Sequence, residues 1–71
     1  MATLTIQVNG AERTVEATPS TLACVVERLG HHPKLVVVEF NGLILTPERW
    51  AEQMVQNGDK LEIVTIVGGG S

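Results

Sequence analysis

The sequence predicts an α+β fold: a mixed sheet of four to five strands, one main helix packed on one face, and a flexible C-terminal glycine tail. Three observations predict it. Thr3 to Val8 alternates apolar and polar residues with a period of two, as a half-buried strand does. Leu22, Val25, Val26 and Leu29 recur at helical spacing and form one apolar stripe. Asn-Gly dipeptides and Thr-Pro pairs stand between the apolar segments, where turns and helix starts are needed.

Taken in chain order, Leu4, Ile6 and Val8 share one side of the first strand, with Thr3, Thr5 and Gln7 on the other. Asn9-Gly10 suits the positive φ angles of a tight hairpin. Arg13 to Glu16 is the expected return strand, charged enough to sit at an edge. Thr18-Pro19 reads as the helix start, a hydroxyl cap followed by proline at the first helical position. Gly30 stops the helix by accepting a left-handed conformation. Leu35 to Phe40 is apolar on both faces, as an interior strand is. Asn41-Gly42 turns the chain into a short strand, Leu43 to Leu45. Thr46-Pro47 opens one or two helical turns before Gln53, and Asn57-Gly58-Asp59 turns into the last strand, Lys60 to Val67. This order places the first and last strands side by side in parallel, with the helix crossing one face. It is the order of the β-grasp, or ubiquitin-like, arrangement, with the folded domain expected over residues 1–67 and the tail over residues 68–71.

A chain of 71 residues makes one domain at most. With one Phe, one Trp and no Tyr, its core must be built from Val, Leu and Ile. The single Cys rules out an internal disulfide framework and points to a reducing compartment, the cytoplasm. The start, MATLTIQVNG, lacks the basic segment of a signal peptide, and the longest apolar runs, Leu22 to Val26 and Leu35 to Val38, are far short of a membrane span. A net charge of −3 with scattered basic residues argues against a nucleic-acid partner.

No catalytic constellation is present, and the chain does not read as an enzyme. His31 and His32 are adjacent, point in different directions and lack further ligands at usable spacing, so no metal site is expected. Gly68-Gly69-Gly70 precedes neither a lysine nor a helix and cannot be a phosphate loop. Cys24 lies about 200° around the helix from Leu22, off the buried stripe, and reads as a partly exposed residue beside Glu27 and Arg28 with no base to activate it.

The stretch FNGLILTPERW, followed by MVQNGDKLEIVTIVGGG, resembles the ThiS family, the sulfur carrier protein of thiamin (thiazole) biosynthesis. The matching features are the Asn41-Gly42 hairpin, the Pro47-Glu48-Arg49-Trp50 segment, the Gly58-Asp59 turn and the glycine tail after the last strand. The resemblance covers essentially the whole chain. It implies a carrier with no bound cofactor, whose C-terminal glycine carboxylate is adenylated with ATP by a separate E1-like enzyme. A cysteine-persulfide sulfur donor then converts the adenylate to a thiocarboxylate, and thiazole synthase takes the sulfur. Residues without Cβ atoms can thread a narrow channel, so a glycine tail suits this task. The family ends on glycine, whereas this chain ends Gly70-Ser71. Either Ser71 is removed to expose Gly70, a longer trim exposes Gly69, or GGGS is partly an engineered linker. A genuine tail with Gly70 or Gly69 as the sulfur-carrying end, and Gly68 as its root, is the expectation. The molybdopterin-synthase sulfur carrier is a rival, but IVTIV lacks the aromatics and prolines that precede its diglycine. A ubiquitin-like protein modifier is another, and a plain interaction module with an inert tail a third.

Alternation also divides the sheet into faces. With Glu39 and Glu62 facing water, Leu4, Ile6, Val8, Val36, Val38, Phe40, Leu61 and Ile63 face the helix. Leu35, Val37, Val64 and Ile66 then form an exposed apolar patch on the opposite face, expected to dock a partner so that the tail points into it. Trp50 reads first as a residue closing the edge of the core and second as a member of this docking set. The free protein is expected to be a monomer that binds neither nucleic acid nor membrane.

Overall fold

In the computed structural model, residues 3–66 are described. Strands β1 (Thr3–Val8) and β2 (Ala11–Glu16) form a hairpin, followed by α1 (Leu22–Arg28). A 3₁₀ turn (Pro33–Leu35) leads into β3 (Val36–Phe40), β4 (Leu43–Leu45), the short α2 (Pro47–Trp50) and β5 (Lys60–Thr65). The sheet order is β2-β1-β5-β3-β4. β1 and β5 are parallel, while β3 pairs antiparallel with both β4 and β5. This is the ubiquitin-like arrangement that the element order predicts.

Two hairpins depend on asparagine. Asn9 and Asn41 have φ of 53° and 50°, and the glycines after them have φ of 83° and 86°. Asparagine tolerates this left-handed region better than most residues and glycine enters it without penalty, so both two-residue turns close without strain.

The helix begins later than Thr18-Pro19 suggests. The Thr18–Pro19 bond is cis, and the N-cap is Thr21, whose hydroxyl accepts the Cys24 N–H at 3.3 Å. The reason is tertiary pairing. The Leu22 N–H donates to the Gln53 carbonyl at 2.7 Å and the Val55 N–H to the Ser20 carbonyl at 2.8 Å. Thr21 is thereby held extended opposite Met54, and helical turns can start only at Leu22. The C-terminal end follows expectation: Gly30, at φ 90°, closes the helix with its N–H on the Glu27 carbonyl.

The core lies between α1 and one face of the sheet. Leu22, Val25 and Val26 are fully buried against Leu4, Ile6, Val8, Val36, Val38, Phe40, Leu61 and Ile63, the eight sheet residues that alternation assigns to this face. Ala17, Trp50 and Val55 complete it. Deleting part of a packed aliphatic side chain leaves a cavity, so Ile63→Ala should lose about 2–4 kcal/mol of stability. Its strand neighbour Val64 points away from the core, and Val64→Ala should change stability by less than about 0.5 kcal/mol. Chemical denaturation of the two variants checks this, and equal losses would mean that the faces are reversed.

Candidate functional site

The outer face of the sheet is the candidate site. Val37 and Val64 are directly paired between β3 and β5. Leu35 and Ile66 adjoin them, joined by an Ile66 N–H to Leu35 carbonyl bond of 2.6 Å. All four are exposed, Leu35 at 52%, Val37 at 38%, Val64 at 61% and Ile66 at 49%. The patch that alternation predicts is therefore present, at the end of the sheet from which the C-terminal segment leaves.

A further residue joins it. The Asn41-Gly42 turn sets Phe40 opposite Leu43, and hence Glu39 opposite Ile44. Ile44 therefore shares the outer face and is 63% exposed. The sequence held the signal, because a two-residue turn fixes the register of a hairpin. Ile44, Pro47, Pro33, Val37 and Ile66, with Lys34 beside them, line an open apolar groove of about 340 Å³. Farther along the strands from the C-terminal segment, the same face carries the pair Glu39 and Glu62 across β3 and β5. The surface thus offers apolar contact near the tail and negative charge away from it.

Trp50 does not belong to this surface. It is 1% exposed, and its indole N–H donates to the Leu45 carbonyl at 3.0 Å. A side chain so enclosed and hydrogen-bonded cannot touch a partner of the folded domain, which corrects the docking role and leaves the packing role. Beside it, at the start of α2, the Glu48 carboxyl is held below its usual range by its backbone hydrogen bond and then by the Thr46 hydroxyl.

The remaining candidates bring no chemistry together. Cys24 is half-buried at a cleft of about 330 Å³, alongside Glu16, Thr18, Glu27 and Arg28. The Nδ1 atom of His32 accepts the Lys34 N–H at 3.1 Å, which fixes the start of the 3₁₀ turn. Among the described residues no cluster of His, Cys, Asp and Glu has metal-holding geometry. Gly68, Gly69, Gly70 and Ser71 lie outside the described residues.

The sequence model of the ThiS family matches residues 2–70. The chain belongs to the ThiS family. A ThiS structure, that of the thiamine biosynthesis protein from Geobacter metallireducens, superposes with a TM-score of 0.76 at 29% identity, covering 94% of this chain and 100% of that one. Among curated relatives, an uncharacterized protein ycf40 of Trieres chinensis is 53% identical over 36 residues, which are 51% of this chain and 49% of that protein. A thiazole synthase of Paramagnetospirillum magneticum is 41% identical over 64 residues, 90% of this chain but 19% of that protein. The ycf40 protein of Pyropia yezoensis is 33% identical over 67 residues, 94% of this chain and 93% of its own length. The chain thus spans about half the length of the first of these relatives and about a fifth of the second.

The placement of Trp50 is open to a direct check. Its emission should be blue-shifted and protected from acrylamide in the folded protein, and should move to the red only on unfolding. A solvent-like emission in the native state would contradict the packing described here.

Proposed function

We propose that this protein is a sulfur carrier of thiamin biosynthesis, which carries sulfur as a thiocarboxylate on a C-terminal glycine and delivers it to thiazole synthase. The observation that carries this reading is the ThiS family match, which takes in the glycine tail as far as Gly70. It omits Ser71, which supports Gly70 over Gly69 as the working end once Ser71 is removed.

The chemistry belongs to the partners. An E1-like enzyme joins the glycine carboxylate to the AMP moiety of ATP, releasing pyrophosphate. The outer sulfur of a cysteine-persulfide donor attacks the activated carbonyl and AMP leaves, giving an acyl disulfide. A second thiol then attacks the cysteine sulfur of that bond, so that the thiocarboxylate leaves and the two cysteines are oxidised to a disulfide. The carrier supplies a tether and a docking surface. No helix among the described residues is long and apolar enough to cross a membrane, which accords with the cytoplasmic setting proposed for this exchange.

The apolar outer face is the docking surface for thiazole synthase. Its position supports this, since Val64 and Ile66 immediately precede the tail and a partner seated on them is also within reach of the glycines. The match to a segment inside a longer protein named thiazole synthase supports that partner, because there the two lie on one polypeptide. The acidic end, Glu39 and Glu62, favours a basic rim on the surface that receives it.

Incubation with the adenylating enzyme, ATP and a sulfur donor, followed by intact-mass measurement, tests the reading. The chain ending at Gly70 should gain one oxygen-to-sulfur exchange, and Gly69→Val should fold normally yet fail to gain it, because a branched side chain blocks a channel fitted to glycine. Val64→Asp should fold normally and bind thiazole synthase about tenfold or more weakly. No exchange in a folded chain, with an enzyme active on another carrier, sinks the sulfur-carrier reading. Unchanged affinity of Val64→Asp removes the patch from it.

A further inference from the structure

The parallel pairing of β1 with β5 ends early. It covers Gln7 with Lys60 and Val8 with Leu61, and then the Asn9-Gly10 turn takes β1 away. β5 continues to Thr65. One further rung is supplied by a side chain. The Asn9 N–H donates to the Leu61 carbonyl at 2.9 Å, as a continuing strand would. The Asn9 carboxamide then takes over, its Oδ1 accepting the Ile63 N–H at 2.7 Å and its Nδ2 donating to the Ile63 carbonyl at 3.1 Å. An amide side chain thus stands in for the next peptide group of the departed strand.

The rung after Ile63 belongs to Thr65. Hydrogen bonding between β3 and β5 includes the bonds of Ile66 to Leu35 and of Asn41 to Lys60. In an antiparallel ladder bonded and non-bonded pairs alternate, so the Thr65–Val36 pair between them is non-bonded. The Thr65 N–H and carbonyl therefore point away from β3, toward the space that β1 has left. Thr65 is exposed there, and among the described residues neither group has a partner.

The sheet's other edges are blunted. β2 carries Glu12, Arg13 and Glu16, and the Arg28 guanidinium Nε donates to the Glu16 carbonyl at 2.9 Å. β4 has three residues. The free edge at Thr65 has no charge beside it: its neighbours are Val64 and Ile66 of the apolar face.

We infer that thiazole synthase adds an extended segment to β5 at this edge, with its backbone bonded to the N–H and carbonyl of Thr65 and its side chains lying along Val64 and Ile66. Strand addition of this kind draws affinity from main-chain hydrogen bonds and specificity from alternate side chains. It also fixes the direction of the chain at Thr65, three residues before the tail, which an apolar face alone does not do. This inference rests on the sulfur-carrier reading and names how the same partner is held.

The test uses the full chain and thiazole synthase. Proline is tolerated where a strand N–H faces outward, so Thr65→Pro should melt as the wild type does while binding the synthase about tenfold or more weakly by calorimetry. In the unaltered protein, amide exchange followed by NMR should show Thr65 fast when free and protected when bound, with Ile66 protected in both states. Should Thr65→Pro fail to fold, this exchange measurement decides alone. Fast Thr65 exchange in the complex overturns strand addition, as does wild-type affinity of a folded Thr65→Pro. If either occurs while Val64→Asp still loses binding, strand addition fails and the carrier reading stands. If the wild-type chain does not bind the synthase, both fail together.

Discussion

β5 is the strand on which the rest of the molecule depends. One of its faces, Leu61 and Ile63, closes the core against α1. Its other face, Val64 with Ile66 just beyond, contributes half of the exposed patch. Within the sheet it lies between the N-terminal hairpin and the second one, paired with β1 on one side and β3 on the other. Its side chains alternate, so a single six-residue segment packs the core with one face and leaves the other exposed. A shift of one residue in its register would exchange the two roles, exposing the core residues and burying the patch.

That register is pinned by asparagines at the turns. Asn9 grips Ile63 through both its amide atoms, and Asn41 accepts the Lys60 N–H on its Oδ1 while donating to Asp59 from its Nδ2. A third, Asn57, accepts the Thr5 N–H at 2.8 Å. Each bond reaches from a turn to a strand or turn distant in sequence. Small domains have little apolar area to specify pairing, and side-chain amides supply directional contacts in its place. The same logic applies to the indole of Trp50, which joins Phe40 in a mostly aliphatic core and is oriented by the Leu45 carbonyl.

Most of this was legible in the sequence because each strand carries strong alternation and each turn has its own chemistry. The eight inward-facing sheet residues and the four of the patch follow from alternation, oriented in β3 and β5 by Glu39 and Glu62, which cannot both be buried in so apolar a strand pair, and in β1 by its one apolar side. What was not legible came from tertiary pairing. Thr18-Pro19 is a sound local helix start, and only the pairing of Ser20 and Leu22 with residues 53 to 55 moves the cap to Thr21. Val55 and Ala17 lie in irregular segments, where no periodicity marks a core residue. The role of Trp50 was ambiguous for another reason: an aromatic near a surface segment serves packing and contact equally well until its burial is known. The outward direction of the Thr65 amide needs the β3–β5 register and the early end of β1, neither of which a single strand's pattern contains.

A carrier of this kind divides its labour sharply. In the reading proposed above, the domain contributes a shape and an exposed face, and the reactive atom is carried by the C-terminal glycine. The proposal is therefore decided at the C-terminus rather than in the core. Intact-mass spectrometry of the protein taken from its native cells, grown without thiamin, addresses it most directly. The account predicts a population that ends in glycine with one carboxylate oxygen replaced by sulfur. A population found only as a plain carboxylate, or only joined through its terminus to lysines of other proteins, would contradict it.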